Sequence, residues 1–184
     1  MAGQSDQGGR YGLSVLRRAS LLAVLAALAV GCGAVEPTPE FSPAGGIGGL
    51  PDIKVTDLAT GDKESLGEVP SGRRALLVWF WAPDSTASRR EADRVERFAR
   101  SSRATVEVIG LGARDDRDAA EEFVADLGVH TPTMVYDGSR ETWKALGVTE
   151  QPAAILFDRA QREVRRWHGP LDMQTVTAAA YRVR

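Results

Sequence analysis

The 184-residue sequence has one cysteine, Cys32, two histidines and no asparagine. A single cysteine excludes an intramolecular disulfide, a Cys-x-x-Cys redox pair and a multi-cysteine zinc site together. Two histidines without clustered ligands leave little for a metal centre, and none is assigned. The formal net charge of −2 provides no positive field to hold nucleic acid nonspecifically. Hydrophobic residues make up 43% and charged residues 26%, with Gly and Pro unexceptional, so the bulk of the chain is globular and of one-domain size.

Residues 1–18 are mostly polar and carry Arg10, Arg17 and Arg18; Ala19 to Val30 is apolar except for Ser20. A basic segment, a short apolar run and small residues at its end make a secretory signal, too short to span a bilayer. Residues 1–31 are therefore expected to be absent from the mature protein. Their removal takes away three Arg and Asp6, shifting the net charge from −2 to −4. Leu28-Ala29-Val30-Gly31-Cys32 resembles the bacterial lipobox, which implies lipidation of the Cys32 sulfur, with palmitate-type chains, and cleavage just before it. Ala29 departs modestly from that pattern, and a plain signal peptide is the alternative. Arg17-Arg18 leaves the Sec and twin-arginine export routes both open. The resulting expectation is a lipid-anchored protein on the extracytoplasmic face of the cell membrane.

Residues 32–51 hold the anchor and a Gly/Pro-rich stretch, with Pro37, Pro39, Pro43 and almost no apolar periodicity, which reads as a flexible tether. The folded part is 52–184. Ile53, Val55 and Leu58 with Thr60-Gly61-Asp62 predict a short strand or hairpin. Ala75 to Ala82, "ALLVWFWA", is a continuous apolar run of strand length, as for a strand buried on both faces. Asp84 and Ser85 are candidate caps for a helix whose Ala92, Val95, Phe98 and Ala99 repeat at helical spacing. Within it, Asp93–Arg97 and Glu96–Arg100 read as i,i+4 pairs on a solvated face. A strand from Thr105, a helix from Asp115 to Leu127, the strand "TMVYD", a short helix from Glu141 to Leu146, a terminal hairpin and a helix from Leu171 to Tyr181 follow. This order predicts a three-layer α/β domain on a mixed central sheet with flanking helices.

"LLVWFWAPDSTASRREA" resembles the thioredoxin fold, with a buried strand, Trp81-Ala82-Pro83 and the start of a long helix. The likeness is to the extracytoplasmic TlpA/ResA/DsbE-type thiol-disulfide proteins, commonly lipid-anchored or membrane-tethered. "LGVTEQPAAILFDRAQREVRRWHGPL" resembles the segment of that family containing a cis-proline and two strands. The resemblance covers 51–184. It places Ser85 and Ser88 at the two cysteine positions and Pro152 at the cis-proline. It also implies a groove beside Trp81, Pro83, Gln151 and Pro152, where active relatives hold an extended peptide by strand addition.

Thiol-disulfide exchange needs a thiolate nucleophile and a resolving thiol. Ser85 and Ser88 supply neither, and no cofactor is implied. Many thioredoxins carry a buried acid two residues before the tryptophan; Trp79 stands there, removing a proton-transfer group. A serine nucleophile would need a base, and neither His130 nor His168 lies in a hydrolase signature. Ser85, Ser88 and Asp84 are expected to cap and solvate the helix end, and the segment "GLGAR" at Gly110 to end a strand without a nucleotide site. The function expected is a redox-inactive binding or scaffolding module, with an extended peptide or envelope protein as partner. The alternatives are a thiol-disulfide oxidoreductase by family membership, a serine-based enzyme, or a purely structural envelope lipoprotein.

Overall fold

A computed structural model describes residues 49–72 and 74–183. The expected signal segment, Cys32 and the tether up to residue 48 lie outside the described residues. Among those described, no helix is long and apolar enough to cross a membrane.

The elements run β1 (Lys54–Asp57), β2 (Lys63–Ser65), β3 (Ala75–Trp81), α1 (Thr86–Ser102), β4 (Val106–Ala113), α2 (Arg117–Leu127), β5 (Thr133–Asp137), α3 (Glu141–Ala145), β6 (Ala153–Phe157), β7 (Glu163–His168) and α4 (Met173–Arg182). The seven strands form one mixed sheet in the order β2-β1-β5-β4-β3-β6-β7. β3, β4 and β5 are mutually parallel and joined through α1 and α2, whereas the β1–β2 and β6–β7 hairpins extend the sheet by antiparallel pairing. Every residue of β3 is buried, as the unbroken apolar run requires of a central strand covered on both sides.

The alternation of β3 divides its side chains between two cores. Leu77, Trp79 and Trp81 face a layer formed by α1, α2 and α4, while Leu76, Val78 and Phe80 face the short α3 and residues of the amino-terminal hairpin. The same alternation along β4 places Gly110 and Gly112 on the first face. A Cβ on Gly112 would lie 2.5 Å from the Trp81 ring, and one on Gly110 would run into the Met134 sulfur. The "GLGAR" segment ends a strand as expected, β4 closing at Ala113. Gly110 and Gly112 sit inside β4, where their missing side chains accommodate Trp81 and Met134.

Local chemistry fixes the helix ends. The Asp116 carboxylate accepts from Ala119 N at 2.8 Å to start α2, and Gly128 closes it in the left-handed conformation. Asp172 accepts from Gln174 N at 2.9 Å at the start of α4.

Candidate functional site

The loop leaving β3 turns directly into α1. Ser85 is the N-cap, with extended backbone, and its hydroxyl accepts from Ser88 N at 3.2 Å. Ser88 is wholly buried, and its hydroxyl accepts from Ala82 N at 3.3 Å, while Ser85 N donates to the Ala82 carbonyl at 3.1 Å. Both serines thus use their hydroxyls to tie the strand end to the helix start. Ser85 caps as expected, but Ser88 does not solvate the helix end, because it lies inside. Asp84 does not cap either; its exposed carboxylate pairs with Arg114 at 2.9 Å.

The Gln151–Pro152 bond is cis. The register Phe80↔Ala153 brings the Pro152 end of β6 to the carboxyl end of β3, where the Ala82–Ser85 loop departs. Sheet pairing therefore gathers Ser85, Ser88 and Pro152 at one end of the sheet. His168, opposite Ala153 on β7, and His130 are both exposed.

The expected groove lining needs correction. Trp81 has no exposed surface; its indole stacks on Phe123 at 4.3 Å between ring centres and lies 6.2 Å from Trp79. Pro83 and Pro152 are buried as well, leaving Gln151 as the one partly exposed member of the four. The physical cause is the glycine pair on β4, which lets the Trp81 ring lie flat against the sheet. The Trp81 Nε1 donor is buried without a hydrogen-bond partner.

Two carboxylates of α1 are buried, which the sequence reading did not anticipate. Glu91, 2% exposed, accepts from Trp79 Nε1 at 3.2 Å and from Leu171 N. Its burial pushes the carboxyl upward, against the lowering effect of those hydrogen bonds and the nearby Arg94 charge. A buried acid is thus present beside Trp79 although the strand position itself holds none. The available signal was an acid adjoining Ala92 on the apolar stripe of the helix.

Glu96 is 6% exposed, so of the Glu96–Arg100 pair only Arg100 lies on the solvated face. Its carboxylate accepts from His130 N at 3.0 Å, Thr131 N at 2.9 Å, the Thr131 hydroxyl and Arg100 at 2.8 Å. Burial alone would raise this group, but the hydrogen bonds outweigh it and hold the carboxyl at about 2. Asp93–Arg97, by contrast, is exposed on both sides, as expected.

A cleft of about 620 Å³ opens next to Gln151, bounded by Arg114, Arg140, Lys144 and Thr149 among others. Arg114 and Arg140 also border a second depression, of about 460 Å³, with Asp84 and Asp115. Arg114, Asp115 and Arg140 have left-handed backbones, with φ of 71°, 58° and 60°. Such a conformation costs a non-glycine residue about 1–3 kcal/mol and persists only where surrounding contacts impose it. Here the Tyr136 hydroxyl donates to the Asp115 carbonyl at 2.8 Å. The buried Asp137 carboxylate accepts from Ser139 N, Arg140 N and Thr142 N.

No protein-family model matches the chain. It is 29% identical over 111 residues to the thiol:disulfide interchange protein DsbE of Vibrio cholerae, a match covering 59% of this chain. The chain spans 57% of the length of that curated relative. Among solved structures it resembles MTB DsbF in its mixed oxidised and reduced forms, with a TM-score of 0.65 and 27% identity over 72% of this chain and 96% of that one. A secreted Mycobacterium tuberculosis disulfide oxidoreductase superimposes with a TM-score of 0.60 at 20% identity, covering 71% of this chain and 96% of that one.

The chain has a thioredoxin-like fold.

In a thioredoxin-like fold the parts gathered here, a helix start after the central strand and a cis-proline on the adjoining strand, form one locus. This chain equips that locus with two hydroxyls, a buried carboxyl and a neighbouring cationic cleft. Hydroxyls can donate and accept hydrogen bonds but cannot be oxidised to a disulfide. Among the described residues no three His, Cys, Asp or Glu side chains converge as a metal site would require.

Proposed function

We propose that this protein is a thioredoxin-like binding or scaffolding module of the cell envelope, anchored at the extracytoplasmic face of the membrane through a lipid on Cys32, in which disulfide exchange has been lost. The observation that carries this reading is the pair Ser85 and Ser88 at the start of α1, each hydroxyl engaged with a backbone N–H. Cys32 is the sole cysteine, and an acylated sulfur cannot take part in exchange. The partner is an extended peptide segment of an envelope protein, held at the end of the sheet beside Gln151.

Similarity to DsbE and DsbF favours a second reading, a thiol-disulfide oxidoreductase. The chemistry of the two serines opposes it, since a nucleophilic thiolate and a resolving thiol are both required. The test is the dithiothreitol-driven reduction of a disulfide-bonded protein substrate in the presence of the full chain. The proposal requires the uncatalysed rate; acceleration would restore the oxidoreductase reading.

A further inference from the structure

From the cleft beside Gln151 we infer that the peptide bound by this protein is acidic, its carboxylates received by Arg114, Arg140 and Lys144. This rests on the binding-module reading above and specifies the chemistry of its ligand.

Three observations carry the inference. The first is charge: the chain as a whole has a formal charge of −2, yet the cleft has three cationic side chains and a single acidic one, Glu141, on its wall. All three cations are exposed. Arg114 is already matched by Asp84 at 2.9 Å, but among the described residues no carboxylate pairs with Arg140 or Lys144. An incoming carboxylate therefore meets two uncommitted cations and a guanidinium fork of the geometry that carboxylates fit.

The second observation is construction. Arg140 precedes the first turn of α3 and Lys144 lies four residues on, so the two share one helix face. Arg140 is fixed in its left-handed conformation from beneath, because its N–H and that of Ser139 are both accepted by the Asp137 carboxylate at 3.0 and 2.9 Å. Arg114 has the same backbone conformation at the end of β4. The two arginines that border both depressions thus stand on backbone that a flexible surface loop would have no reason to maintain.

The third is position. Gln151, the residue before the cis-proline, lies on the same cleft wall. An extended chain presents alternate side chains to one face, so a segment lying along Gln151 directs every second residue toward the cations.

The experiment is an NMR titration of the isotope-labelled full chain bearing Cys32→Ser, with acetyl-Ala-Glu-Ala-Glu-Ala-Ala-amide as probe. Its Gln-for-Glu analogue and inorganic phosphate are titrated in parallel. The expected result is shifts at residues 114, 140, 144 and 151, with the acidic peptide about tenfold tighter than the analogue, as charge-assisted hydrogen bonds imply. The double variant Arg140→Ala, Lys144→Ala, checked for an unchanged melting temperature, should bind both peptides equally weakly. Equal binding of the two peptides by the unaltered cleft would overturn the acidic preference while leaving peptide binding intact. Phosphate binding as tightly as the acidic peptide would overturn it in favour of a free anion. Failure of every probe to bind would remove the peptide-binding reading itself.

Discussion

The Trp79 indole donates to the Glu91 carboxylate across 3.2 Å, inside the core and one helical turn beyond Ser88. The same carboxylate accepts from Leu171 N, so one side chain of α1 joins the central strand to the segment that leads into α4.

Burial places the Glu91 pKa above its ordinary value of 4.5, which fixes the sign of its pH dependence. A group raised on folding contributes stability that is fully present below the unfolded value and is lost as pH rises through the folded one. The stability advantage of the wild type over Glu91→Gln should therefore shrink as pH increases from 4.5 toward 8. Urea midpoints across that range measure it; an advantage that grows with pH would contradict the assignment.

Glu96 should behave oppositely. Its value of about 2, against 4.5 unfolded, gives stability that is present above pH 4.5 and lost as pH falls toward 2. The difference corresponds to about 2–3 kcal/mol once exposure of its Arg100 partner is allowed for. Glu96→Gln should lower stability at pH 7 by that order and flatten the acid limb. Chemical denaturation of the wild type and the variant at pH 7 and pH 3 checks both effects.

Gly112→Ala tests the packing that buries Trp81. The added Cβ would meet ring atoms at 2.5 Å, and a ring held in the sheet's core cannot move aside freely. Overpacking of this kind costs about 1–3 kcal/mol. The melting temperature should fall and the near-ultraviolet tryptophan signal should change. An unaffected variant would mean that the ring has room to shift.

Lipid anchoring makes a separate prediction. Each buried methylene contributes about 0.8 kcal/mol, and two or more chains hold a protein at the membrane where one holds it only marginally. Cys32→Ser should release the protein or leave it unprocessed, as membrane fractionation and mass spectrometry would show. An unmodified Cys32 thiol in membrane-purified protein would contradict the anchor.

The strands and helices were legible because their signals are local. The apolar run of β3, the helical spacing of Ala92, Val95 and Phe98, and the cap at Ser85 each lie within a few residues of what they determine. The carboxylates were not legible for the opposite reason. Asp93–Arg97 and Glu96–Arg100 are the same pattern in sequence, and only the loop at His130 and Thr131, more than thirty residues on, distinguishes the buried Glu96 from the exposed Asp93. Trp81 carried the expectation of a groove residue, but its burial is set by two glycines on a neighbouring strand. The cationic cleft combines the end of β4, the start of α3 and the segment before β6. No glycine marks the left-handed positions of Arg114 and Arg140, so their sequence neighbourhood could not announce it.

The central claim, a thioredoxin-like site whose exchange chemistry was lost with its thiols, is tested most directly by restoring them. In a Cys32→Ser background, Ser85→Cys with Ser88→Cys places two thiols one turn apart, within the Cα separation of about 4.4–6.8 Å that a disulfide needs. The thiol at position 85 lies at a helix start, where thiolates are stabilised and values of about 3.5–7.5 are found. The measurement is oxidation of the double variant followed by thiolate titration. The account expects an internal disulfide and a position-85 thiol well below the free value of about 8.5. A folded double variant that forms no internal disulfide, or whose position-85 thiol titrates near that free value, would contradict it.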